Sequence, residues 1–128
     1  MKKYLLIAAF AGAAFTKLSA QNITAQNAAK HIGEKITICG KIFGGRYFEN
    51  NEKTLLNMGG AYPNHTLTVV IEGADRKKFS TKPEDFYLNK EVCITGEIKD
   101  FKGKPEVQVT EVKQIVLNDA QTSASAPK

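Results

Sequence analysis

The sequence predicts an all-β domain, a small barrel of five strands whose first and fourth strands pair with each other. Three observations predict it. A short pattern occurs twice, K-I-T-I-C-G-K-I from Lys35 to Ile42 and E-V-C-I-T-G-E-I from Glu91 to Ile98. Each copy alternates Ile or Val with Thr, Cys or a charge, the period-two signature of a half-buried strand. Run antiparallel, one register sets Lys35 against Glu97, Thr37 against Thr95, Cys39 against Cys93 and Lys41 against Glu91. Two opposite-charge pairs, a Thr pair and a Cys pair are the cross-strand partners that stabilise sheets. A meander would leave the first and fourth strands apart, whereas a closing barrel brings them together.

In chain order, Ile23, Ala25, Ala28, Ala29 and Ile32 predict a short N-terminal helix, with Thr24 placed to cap it and Gly33 to end it. The first strand is expected from Lys35 to Phe43, broken by Gly44-Gly45, with Glu49 to Glu52 as an exposed loop. The second, Thr54 to Met58, is closed by Gly59-Gly60 and Pro63-Asn64. The third, Thr66 to Glu72, turns Leu67, Val69 and Ile71 to the core. A helical insert follows, in which Asp75 is placed to cap a turn through Phe79 and Pro83-Glu84-Asp85 starts another reaching Leu88. The fourth strand is Glu91 to Lys99, Phe101 to Lys104 is a hairpin turn, and the fifth runs from Glu106 to Val112, with Gln114 to Leu117 as a candidate extension. Gly40 and Gly96 fall on the inner face, where a Cβ would crowd bent strands. Five strands with a helical insert between the third and fourth, and pairing of the first with the fourth, give the connectivity of an OB-fold Greek-key barrel.

The ends of the chain read differently. Lys2 and Lys3 precede an apolar run from Leu5 to Phe15 and a small-residue end at Ser19-Ala20, the layout of a secretory signal peptide over residues 1–20, cut near Ala20. The run is shorter than the ~20 residues a membrane span needs, so no stable anchor is expected after cleavage. The leader carries Lys2, Lys3 and Lys17 and no acid, so of 18 bases 15 remain against 13 acids and the net charge falls from +5 to +2. Bulk basicity therefore gives little support to nucleic-acid binding. Residues 21–118 form the expected domain, and 119–128, without large apolar residues, a disordered tail. In an exported protein of this size, periplasmic or secreted, Cys39 and Cys93 read as a disulfide. Buried free thiols, or a metal pair joined by His31 or His65, are the competing readings.

The stretch L-L-N-M-G-G-A-Y-P-N-H-T-L-T-V-V-I-E-G-A-D-R-K-K-F and the later V-C-I-T-G-E-I-K-D-F-K-G-K-P-E-V-Q-V resemble the OB-fold modules of exported bacterial proteins, some free-standing and others attached to secreted nucleases. The resemblance covers Ile23 to Leu117 and implies fold and export. It carries no catalytic residue over to this chain.

OB folds bind oligonucleotides or oligosaccharides on their second and third strands, between the loops joining strands one to two and four to five. Here the first loop is expected to offer Arg46, Tyr47 and Phe48, and the second Lys99, Phe101, Lys102 and Lys104. Rings stack on bases and cations meet phosphates. The plainer reading is that Phe48 and Phe101 close the barrel ends. Gly59 to His65 is a second candidate, with Tyr62, Asn64 and His65 as ring and hydrogen-bonding groups, and a specific turn explains the same residues. Arg76-Lys77-Lys78 reads as a solvated face. Paired carboxylates for a metal and a nucleophile with its base are both missing from the pattern, so neither an enzyme nor a cofactor is expected. The expectation is a non-catalytic binding module for single-stranded nucleic acid or another extended polyanion; the alternative is an envelope accessory protein that binds a protein, glycan or small ligand.

Overall fold

The computed structural model describes residues 22–118. The expected leader with its cut near Ala20, and the expected tail over 119–128, lie outside the described residues. Seven strands form: β1 (Asn22–Thr24), β2 (Lys35–Phe48), β3 (Lys53–Met58), β4 (Leu67–Ile71), β5 (Glu91–Phe101), β6 (Lys104–Gln108) and β7 (Ile115–Leu117). They join in the order β1-β2-β3-β4-β6-β5-β7, and a further pairing of β2 with β5 closes part of the sheet into a ring.

That closing pair has the register read from the repeated pattern: Lys35 opposite Glu97, Thr37 opposite Thr95, Cys39 opposite Cys93 and Lys41 opposite Glu91. The two Thr hydroxyls are 2.7 Å apart. Cys39 and Cys93 are joined by a disulfide with Cα atoms 4.0 Å apart, in place of free thiols or a metal pair. Inside the ring, Ile38, Leu56, Val69, Ile94 and Val107 are fully buried. A Cβ on Gly40 would sit 3.0 Å from the Ala25 Cβ, and one on Gly96 2.8 Å from a Val107 methyl, so both glycines mark close approaches to the inner face.

The strand count and several element bounds differ from expectation. The strand count is seven, not five, because short strands flank the ring. At the N-terminus, the helix expected from Ile23 to Ile32 forms as a 3-10 helix over Ala25–His31, because Asn22–Thr24 pair instead as β1, parallel to β2 with Ile23 opposite Ile38. Thr24 holds the N-cap position without capping the backbone, and its hydroxyl accepts from Asn27. Gly44-Gly45 does not break the first strand: a register shift between Ile42 and Gly44 bends β2, and pairing with β3 carries it on to Phe48. The fifth strand ends at Gln108. There Gln114 donates to the carbonyls of Thr95 and Gln108 and accepts from the amides of Thr110 and Glu111, turning the chain so that β7 pairs with β5 at Val92–Ile94.

The insert between β4 and β5 consists of two single turns, α1 (Gly73–Arg76) and α2 (Pro83–Phe86), with Glu72 and not Asp75 at the first N-cap. Arg76 fastens it to the barrel. Its Nε donates to the fully buried Thr54 hydroxyl at 2.8 Å, its guanidinium pairs with Glu84 at 2.7 Å, and it lies 4.1 Å from the Tyr47 ring centre. Lys78 donates to the Thr110 carbonyl and pairs with Asp75 and Glu111. Two of the three residues in the Arg76-Lys77-Lys78 run are therefore structural, and Lys77 is solvated.

Candidate functional site

On β3, Thr54, Leu56 and Met58 point inward, so Lys53, Leu55 and Asn57 face out. Registers extend this outer face across neighbouring strands. One row runs Arg46–Leu55–Val70–Gln108, and the next runs Gly44–Asn57–Thr68–Glu106–Lys99. From β2 to β5 the face spans four strand spacings, roughly 19 Å along the curved sheet.

Arg46 and Phe48 stand on this face as strand residues, which corrects their expected place in a loop; the turn itself is 49–52. The Arg46 guanidinium lies 4.9 Å from the Phe48 ring centre. Tyr47 has the opposite parity, opposite Thr54 and beneath Arg76, and is withdrawn from the face. At the far edge, Lys102 and Gly103 both have positive φ, 52° and 87°, the two-residue turn that joins β5 to β6 with Phe101 opposite Lys104. Phe101 is 54% exposed with the Lys102 ammonium 5.4 Å from its ring centre, so it does not plug the barrel. Lys99 projects from β5 beside Glu106.

The Tyr62–His65 segment joins this same face. Tyr62, 75% exposed, stacks on His65 with ring centres 5.8 Å apart, and Asn64 lies exposed between them in the turn. His65 Nε2 is 2.8 Å from the Thr68 hydroxyl, while its Nδ1 is buried without a hydrogen-bond partner. Burial, and then the Lys104 charge, hold the His65 pKa below its ordinary value. A cleft of about 200 Å³ opens here, lined by Gln26, His65, Thr66, Thr68 and Lys104. The two regions that sequence kept separate, Tyr62–His65 and the Lys104 hairpin, are thus neighbours.

Acids interrupt the cations. Lys53 and Glu72 pair at 3.8 Å, and burial raises the Glu106 pKa, with Lys53 and Lys99 opposing that shift and Glu72 adding to it. Sequence reasoning missed Lys53, Asn57 and Thr68; their signal was parity, each being out of phase with the core residues of its own strand. Among the described residues, no group of three or more His, Cys, Asp or Glu is placed to hold a metal, and no helix is long and apolar enough to cross a membrane.

No protein-family model matches the chain, and no curated protein does. Solved structures do. One, described as an aspartyl-tRNA synthetase from Leishmania major Friedlin, superposes with a TM-score of 0.51 at 11% identity, covering 86% of this chain and 23% of that one. The fold is OB-like. At that identity the likeness speaks of fold alone, and the chain spans under a quarter of that protein's length.

Proposed function

We propose that the chain is an exported, non-catalytic OB-type module that lays a single-stranded nucleic acid, or another extended polyanion, across the outer face of β2, β3, β4 and β6. On this reading β2 to β6 are the five barrel strands, and β1 and β7 are additions to the seam. The observation that carries it is a cation set beside an aromatic ring at each edge of one face: Arg46 with the half-buried Phe48, and Lys102 with the exposed Phe101. Each ring can stack a base for about 1–3 kcal/mol, with the adjacent cation placed for a phosphate. The structural likeness adds that such a fold occurs in a protein named for a tRNA. Arg76 is taken up by Thr54 and Glu84, which leaves Arg46 as the remaining arginine of the chain for a phosphate and supports binding over cleavage. The leader pattern and the disulfide support export, since disulfides persist in oxidising compartments.

Glu72 and Glu106 on the same face favour a second reading, a glycan or protein ligand of the cell envelope. Salt separates the two. If Arg46, Lys99, Lys102 and Lys104 meet four phosphates, the logarithm of the affinity for a labelled oligothymidylate falls against log salt with a slope of about −3. No binding at low salt, or a slope near zero, overturns the polyanion reading.

A further inference from the structure

We propose that the cleft between the Tyr62–His65 turn and the β6 hairpin is a seat for a single phosphate group, which on the reading above is one backbone phosphate of the bound strand. Beside Ala29 and Pro105, its lining brings together polar side chains from four separate parts of the fold: Gln26 from the 3-10 turn, whose amide also donates to the Gly59 carbonyl, His65 from the turn before β4, Thr68 from β4 and Lys104 from β6. The Lys104 ammonium is the cation. The Thr68 hydroxyl, within 2.8 Å of His65 Nε2, can turn its proton to an incoming oxygen once the imidazole is charged. About 200 Å³ admits a phosphate, and the exposed Tyr62 ring beside it offers a surface for the adjoining base.

The seat is linked to a proton. The groups that face His65 are Lys104 from β6, Thr68 from β4, Gln26 from the 3-10 turn, and Tyr62 and Thr66 from its own segment. Glu106 stands opposite Thr68, with Lys53 and Lys99 opposing the rise of its own pKa. Burial, and then the Lys104 charge, favour the neutral imidazole in the free protein. A phosphate between His65 and Lys104 screens the ammonium and adds a negative charge beside the ring, and both favour imidazolium. Occupation of the seat therefore raises the His65 pKa, and binding takes up a proton.

The test follows the His65 ring signals by NMR across pH, in the free protein, with saturating inorganic phosphate, and with oligothymidylate. The expected result is an upward shift of the His65 midpoint with phosphate, with amide changes centred on His65, Thr68 and Lys104. Lys104→Met, at an exposed position, weakens phosphate about tenfold and raises the free His65 midpoint. If His65→Gln does not fold, Lys104→Met and the native titration carry the test. A His65 midpoint unmoved by both phosphate and oligonucleotide overturns the seat, and does so even where the oligonucleotide binds elsewhere on the face. Phosphate that shifts His65 while the oligonucleotide does not bind upholds the seat and overturns the strand-binding reading instead.

Discussion

Replacing Arg76 by Met tests whether the basic run after β4 is structural. The substitution removes the hydrogen bond to buried Thr54, the ion pair with Glu84 and the cover on Tyr47, and leaves an apolar chain of similar length. The partner left behind decides the magnitude. The Glu84 side chain is 14% exposed and its Oε1 already has no hydrogen-bond partner, so without Arg76 it becomes an uncompensated charge in a largely dry site. Breaking a buried pair on one side costs about 3–5 kcal/mol, whereas replacing both partners with apolar groups is often neutral. With a urea m-value of about 2 kcal/mol/M, Arg76→Met lowers the midpoint by about 2 M. Arg76→Met/Glu84→Met recovers most of that loss. Both variants, measured while folded, bind oligothymidylate as the native protein does. A single variant that loses under about 1 kcal/mol, or a double variant no better than the single, refutes the reasoning.

The remaining predictions concern the seam, the inner face and the outer face. Cys39→Ala/Cys93→Ala frees a loop closed over a sequence separation of 54, and urea titration should show a loss of about 4 kcal/mol. Gly96→Ala places a Cβ 2.8 Å from a Val107 methyl, so it costs about 1–3 kcal/mol, seen in calorimetry as a melting temperature lower by at least about 4 °C. The Glu106 carboxyl has its pKa raised in the fold, so the stability it contributes is full below its unfolded pKa and lost as pH rises through the folded one. Glu106→Gln is therefore more stable than the native protein at pH 7 and equal to it at acid pH in paired urea titrations. It also binds the oligonucleotide more tightly at low salt.

Much of the barrel was legible because the information was local and redundant. Four matched pairs on two strands fix the β2–β5 register, and a slip of one residue would turn Ile38 and Ile94 out to solvent. What was missed depends on contacts between distant segments. Gly44-Gly45 looks like a strand break until β3 pairs alongside it, when the same flexibility becomes a bend. β1 and β7 are three residues each, too short for a period to register, and exist because β2 and β5 offer them an edge. The aromatic and basic residues of the candidate face were recognised by type. Tyr47 was misplaced because its parity depends on where the strand ends, and the meeting of His65 with Lys104 joins residues far apart in sequence.

The most direct measurement of the central claim is an amide chemical-shift map on adding oligothymidylate at low salt. The expected perturbations concentrate on the outer-face residues Arg46, Phe48, Lys53, Asn57, Lys99 and Phe101, are absent from Tyr47 and from the Thr37–Thr95 surface, and are abolished by Arg46→Ala/Phe101→Ala. Shifts gathered on the opposite surface, or binding that survives the double substitution, would contradict it.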